Sequence, residues 1–176
     1  PRDVVSTKLA NEPCPDFELG GERLLTPAVT PDSDPHVAVL AFGTLAMNAL
    51  DAAAALKDEY RIAVYDARFA KPVDAALIRT LIERRIPIVT IEDHGLIGGF
   101  GSAVLEAAQE LGLDASHITR LGLPDSWVYQ DSRGKQLAEV GLDVPGIVRA
   151  LRQAAASREP DQESATPSKP SVTSRV

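Results

Sequence analysis

The sequence predicts an α/β domain built on a parallel sheet, and three observations carry that expectation. The stretch from Ile88 to Gly112 runs from a β-branched apolar segment through a glycine-dense loop into an amphipathic segment, the order of strand, loop and helix. Strand-then-helix alternation recurs on either side of it, with no longer internal repeat. Hydrophobic residues make up 44% of the 176, enough apolar material for one domain of ordinary size. No run approaches the roughly 18–20 apolar residues of a membrane span, so a soluble chain is expected.

Residues 1–35 read as a lead-in segment, broken by prolines and small polar residues. Within it, Glu22 to Thr26 can form a short edge strand after the Gly20-Gly21 turn. The α/β domain is expected over 36–156. His36 to Gly43 is a nearly continuous apolar run, as a strand covered on both faces requires. Thr44 is then a candidate N-cap for a helix with Ala46, Leu50, Ala53 and Ala54 on one stripe, ending near Lys57 or Asp58. Ile62 to Asp66 is the second strand, and Pro72 with Asp74 opens a helix whose Leu77, Ile78, Leu81 and Ile82 point inward. The third strand is Ile88 to Ile91, followed by a helix with Val104, Leu105, Ala108 and Leu111 on one side. A fourth strand spans His117 to Gly122, closed by Pro124. A short helix over Ser132 to Val140 ends at Gly141, and Val144, Ile147, Val148 and Leu151 repeat at helical spacing in the last one, capped by Asp143. Residues 157–176 are rich in Ser, Pro, Thr and charge without apolar periodicity, the composition of a disordered tail.

A net charge of −7 argues against a nucleic-acid surface or an anionic membrane as the main partner. Cys14 is the only cysteine, which excludes an internal disulfide and a thiolate metal cluster. A cytoplasmic setting is expected. The chain opens on Pro1 rather than a methionine, and it reads as a piece of a longer polypeptide.

Candidate site residues gather at the carboxyl ends of the strands, where open α/β sheets place their functional groups. Gly98, Gly99 and Gly101 precede a helix, and two readings stand for them. Their amides can cradle a phosphate with the help of the helix dipole, or the glycines let loop and helix pack closely. The spacing is neither a dinucleotide fingerprint nor a P-loop, and Glu92 and Asp93 would repel an anion. As neighbours on a strand these two point to opposite faces and cannot share a proton. Arg68 and Lys71 follow the second strand; Arg68 is expected to pair with a carboxylate such as Glu92 or Asp93, phosphate binding being the other reading. Lys71 divides between solvated charge and salt bridge. His94 lies in the glycine loop as a hydrogen-bonding residue or an acid–base group. With His36 and His117 it forms no metal-ligand spacing, so no metal site is expected here, and no catalytic set is recognised. Trp127 and Tyr129 read as covers for a sheet edge or a subunit contact.

The segments LAFGTLAMNAL, DARFAKPVD, VTIEDHGLIGGFGSAV, LGLPDSWVYQ and AEVGLDVPGI, in that order, resemble the C-terminal domain of the 1-deoxy-D-xylulose-5-phosphate synthase family, from about Val37 to Leu151. Transketolases and 2-oxoacid dehydrogenase β subunits share LAFGT, DxRFxKPxD and GGxGSAV more loosely. The resemblance implies a three-layer domain around a five-stranded sheet, four strands parallel and one antiparallel. It implies a homodimeric transferase that joins pyruvate to glyceraldehyde 3-phosphate with loss of carbon dioxide, feeding isoprenoid, thiamine and pyridoxal synthesis. Thiamine diphosphate and Mg²⁺ would be held by upstream domains of the same polypeptide, and this piece alone would be inactive. Only Arg2 carries over as an active-site residue, contacting the phosphate of the acceptor sugar through the PRG motif that the opening PRD resembles; the family's glycine is Asp3 here. Arg68, Lys71, Glu92, His94, Gly98, Gly99 and Gly101 would serve structure or an interface. The competing readings are a free-standing α/β binding or assembly module and a 2-oxoacid dehydrogenase β subunit with a lipoyl-domain partner.

Overall fold

The structure, a computed structural model, describes residues 14–26 and 34–157. The expected tail and Arg2 lie outside them. Five strands make one sheet: β1 (Arg23–Leu24), β2 (Val37–Phe42), β3 (Ile62–Asp66), β4 (Ile88–Gly95) and β5 (Ile118–Leu123). Their order is β1-β3-β2-β4-β5. β1 runs antiparallel to β3 and every other pairing is parallel, so the four-plus-one sheet is as expected.

Five helices follow: α1 (Ala46–Ala55), α2 (Ala75–Glu83), α3 (Phe100–Glu110), α4 (Arg133–Glu139) and α5 (Val144–Ala156). They cover the sheet from both sides, because alternate residues of a central strand face opposite cores. Val37, Val39 and Ala41 of β2 pack with Ala49, Ala52 and Ala53 of α1 and with Ile147 and Leu151 of α5. Ala38 and Leu40 look the other way, onto Ile78 and Leu81 of α2 and Phe100, Val104 and Ala108 of α3. This is why the strand reads as a continuous apolar run rather than an alternating one. No helix among the described residues is long and apolar enough to cross a membrane.

Local sequence sets the boundaries. Asp74 caps α2 by accepting from the Leu77 amide at 2.7 Å, and Asp143 caps α5 by accepting from Gly146 at 2.9 Å. Pro145 sits in the first turn of α5, where a missing amide costs nothing. One expected cap is not used. Thr44 lies inside a 3-10 turn over Gly43–Leu45, and α1 starts after it without a side-chain cap. Gly43 has φ +79, which turns the chain out of β2 one residue before any threonine cap could form.

Two substitutions test this account. Asp143→Ala should lower stability by about 1 kcal/mol through loss of the cap, and Leu151→Ala, which opens the larger core, by about 2–5 kcal/mol. Urea unfolding followed by far-ultraviolet circular dichroism reads both.

Candidate functional site

The carboxyl ends of β2, β3, β4 and β5 share one end of the sheet, and the glycine loop after β4 crosses it. β4 is four residues longer than its apolar run suggests. Its register with β5 shifts between Ile91 and Gly95, and the extra length carries Glu92, Asp93 and His94 to the rim.

Glu92 is fully buried, at 0% exposure. Its carboxylate accepts from the Phe100 amide at 2.6 Å and from the Gly101 amide at 2.8 Å, the first two amides of α3. A buried carboxylate needs such partners, and a helix N-terminus offers unsatisfied donors and a positive dipole end. The glycines make the approach possible. A Cβ on Gly99 would collide with the Glu92 carboxylate and with the Gly95 carbonyl, and one on Gly101 would lie 2.6 Å from Thr90 Oγ1. At Gly99 and Gly101 the geometry is one of close packing, whereas a Cβ on Gly98 would meet nothing within 4 Å. The place a phosphate would take at α3 is filled by the protein's own carboxylate.

Around this core the loop is tied down from the next strand. Arg120 of β5 donates to the Leu96 carbonyl at 2.9 Å and to Ser102 Oγ at 3.0 Å. Ser102 in turn donates to Leu96 at 2.8 Å and accepts from the Gly98 amide at 3.2 Å. Gly98 has φ +72 and turns the loop tip. Arg120 and Ser102 were not legible as site residues.

Asp93 faces away from Glu92, as alternation requires, and pairs with Arg133 at the start of α4 at 2.6 Å. His94 is exposed, with Nδ1 3.4 Å from the Gly95 carbonyl. Lys71 is exposed and has no ion-pair partner among the described residues.

Arg68 requires a correction. It pairs with neither Glu92 nor Asp93, whose oxygens are engaged elsewhere. Its guanidinium donates to the backbone carbonyls of Pro15 at 3.3 Å and Asp16 at 3.2 Å, and it stacks over the Phe17 ring at 4.5 Å. The cause lies in the backbone. Arg68 has φ 55, and its amide donates to Asp66 Oδ1 at 3.1 Å, so the chain turns away from β4 toward the lead-in segment.

On the β4–β5 side of this end, large apolar side chains are uncovered: Ile97 at the loop tip, 76% exposed, and Trp127 and Tyr129 after β5, 81% and 72% exposed. The Leu96 amide bonds the Leu123 carbonyl, and Arg133 bridges to Asp93, so loop, β5 end and α4 are one connected rim.

The chain belongs to the transketolase C-terminal domain family, whose profile, described as "Transketolase, C-terminal domain", matches residues 28–147. Among solved structures it is similar to a "Split gene transketolase, inactive beta4 tetramer", with TM-score 0.65 and 29% identity, covering 81% of this chain and 45% of that one. The fold is also that of a transketolase from Leishmania mexicana, with TM-score 0.59 and 21% identity over 79% of this chain and 18% of that one. Within the family its sequence is similar to 1-deoxy-D-xylulose-5-phosphate synthase. The protein of that name from Anaeromyxobacter sp. (strain Fw109-5) is 50% identical over 121 residues, 67% of this chain and 19% of the relative. The one from Acinetobacter baumannii (strain AYE) is 39% identical over 141 residues, 78% of this chain and 22% of the relative. The chain therefore spans about a fifth of the length of these relatives.

The packed glycine loop makes two predictions. Glu92→Ala, which strands two buried amides, should cost at least about 2 kcal/mol, read as a fall in urea midpoint. Millimolar inorganic phosphate should leave the melting temperature of this chain unchanged, because the α3 amides are already taken; a concentration-dependent rise would reopen the cradle.

Proposed function

We propose that this chain is the C-terminal domain of a thiamine-diphosphate-dependent synthase that condenses pyruvate with glyceraldehyde 3-phosphate to 1-deoxy-D-xylulose 5-phosphate, with loss of carbon dioxide. The observation that carries the reading is the 50% identity to a synthase of that name. GLPD and AEVGLD, beyond the segments shared with other transketolase-type proteins, support it.

The described residues do not fit the cofactor or its Mg²⁺. The N-terminus of α3 is filled by Glu92, and no group of three His, Cys, Asp or Glu among the described residues could hold a metal. In this reading both belong to upstream domains, and the chain alone is inactive. Its own contribution is twofold. Arg2 contacts the phosphate of the acceptor, anchoring it far from the reacting carbon. The rim of Ile97, Trp127 and Tyr129 packs against upstream domains or a second subunit, a use that exposed aromatic and aliphatic side chains favour. The similar split-gene chain described as an inactive tetramer supports both the inactivity and the self-association.

In the complete enzyme, Arg2→Ala should lower kcat/KM for glyceraldehyde 3-phosphate by roughly ten- to a hundred-fold, the loss of a charged hydrogen bond of about 1.5–3 kcal/mol. Unphosphorylated glyceraldehyde should lose little, and an equal loss for both acceptors would remove Arg2 from the phosphate site. Ile97→Asp should weaken subunit or domain association in sedimentation while leaving the melting temperature of this chain within a degree or so, since an exposed substitution changes stability by under about 0.5 kcal/mol.

A further inference from the structure

The two margins of the sheet are finished differently. On one, β1 closes β3 with antiparallel pairing. On the other, β5 pairs with β4 and with no further strand among the described residues. The Ile88 amide bonds the His117 carbonyl at 3.0 Å, and the Leu96 amide bonds the Leu123 carbonyl at 2.9 Å. Odd-numbered residues of β5 therefore turn their backbone groups toward β4, and the even-numbered ones turn theirs outward. The outward Ile118 amide is taken by the Ala115 carbonyl at 3.0 Å. The backbone amides and carbonyls of Arg120 and Gly122 have no hydrogen-bond partner among the described residues.

Natural sheets blunt an open edge with outward charge, with proline inside the strand or with a covering segment. The sequence ITRLGL of β5 supplies neither of the first two. Its one charge, Arg120, reaches back to the Leu96 carbonyl and Ser102, and Pro124 comes only after the strand has ended.

We propose that β5 is a docking edge for the β5 of a second copy of this chain, the two strands running antiparallel about a twofold axis at Leu121.

The edge is complementary to itself in one register. Twofold pairing has to join outward groups to outward groups, so the residue at the axis decides which partners meet. An axis at Thr119 sets Arg120 against Ile118, whose amide is already bonded. One at Arg120 places two like charges directly opposite, which is destabilising. One at Gly122 sets Arg120 against Pro124, which has no amide to donate. With the axis at Leu121, Arg120 lies opposite Gly122 on both sides. The charge meets a residue without a side chain, and all the free amides and carbonyls of the two residues are exchanged. Leu121 then faces its own copy, and Thr119 faces Leu123. A foreign strand would have no reason to match this spacing of charge, glycine and proline. Because a twofold contact consumes both edges, assembly stops at two copies.

Sedimentation equilibrium and amide hydrogen exchange of this chain, each followed from about 10 μM to about 1 mM, read the pairing together, since association protects amides in proportion to the bound fraction. The expected result is a monomer–dimer equilibrium in which exchange at Arg120 and Gly122 slows by about tenfold or more over that range. Cross-linking reads the register. In a Cys14→Ser background, Leu121→Cys should form a disulfide-linked dimer on mild oxidation, because opposed residues of a non-hydrogen-bonded antiparallel pair have Cα atoms about 4.5 Å apart. Thr119→Cys, which faces residue 123 rather than its own copy, should link at least about tenfold more slowly. A chain that stays monomeric throughout overturns the proposal, as does a dimer in which the Arg120 and Gly122 amides still exchange freely. Faster linkage at position 119 than at 121 overturns it too. The exchange measurement needs no substitution, so it decides the matter if Leu121→Cys folds poorly. No readout uses enzymatic activity, so the outcome is independent of the proposed synthase.

Discussion

The buried contact between the Glu92 carboxylate and the first two amides of α3 is the constraint on which this end of the molecule depends. It joins the central strand to the helix after it, and it fixes where the intervening loop must carry glycine. A carboxylate at zero exposure tolerates few environments; two charge-assisted hydrogen bonds at 2.6 and 2.8 Å are one of them. Bringing the helix that close leaves no room for a Cβ at Gly99 or Gly101, and the longer path around the carboxylate forces a left-handed residue at Gly98. Gly122 of the neighbouring strand meets the same demand, since a Cβ there would press on the His94 carbonyl and the Glu92 side chain. The loop is thus a rigid platform built from the inside out.

Much of the fold could be read directly from the residues. The second predicted strand, Ile62 to Asp66, has the boundaries of β3, and the caps at Asp74 and Asp143 are both used. These succeed because apolar periodicity and capping chemistry are local. The expectations for Thr44 and Arg68 failed for a common reason. Each assigned a role from residue type and expected place in the fold, whereas a positive φ at Gly43 and at Arg68 redirects the backbone. The end of β4 was missed because its last residues are charged or polar, and it is pairing with β2 at Glu92 and with β5 at Gly95 that keeps them in the sheet.

The candidate site was legible in outline and not in its partnerships. Glycine spacing marked the loop, and strand alternation put Glu92 and Asp93 on opposite faces. Nothing in one dimension says that Glu92 bends back onto its own helix, or that Arg120 reaches across from the adjacent strand. Those are consequences of the parallel β4–β5 pairing, which sets Thr90 beside Arg120 and so delivers the guanidinium to the loop.

Residues 14–26, whose β1 pairs with β3, also guard the margin of the sheet. β3 lies next to the margin of the sheet, and among the described residues it is the two residues of β1 and the bonds of Leu25 and Thr26 that engage its outer backbone. An uncovered row of strand amides and carbonyls is a template for edge-to-edge pairing between molecules. Seating of a short antiparallel segment is therefore also what keeps copies of this protein from adding to one another strand by strand. Its colloidal behaviour in storage becomes a property of residues 14–26 rather than of the core.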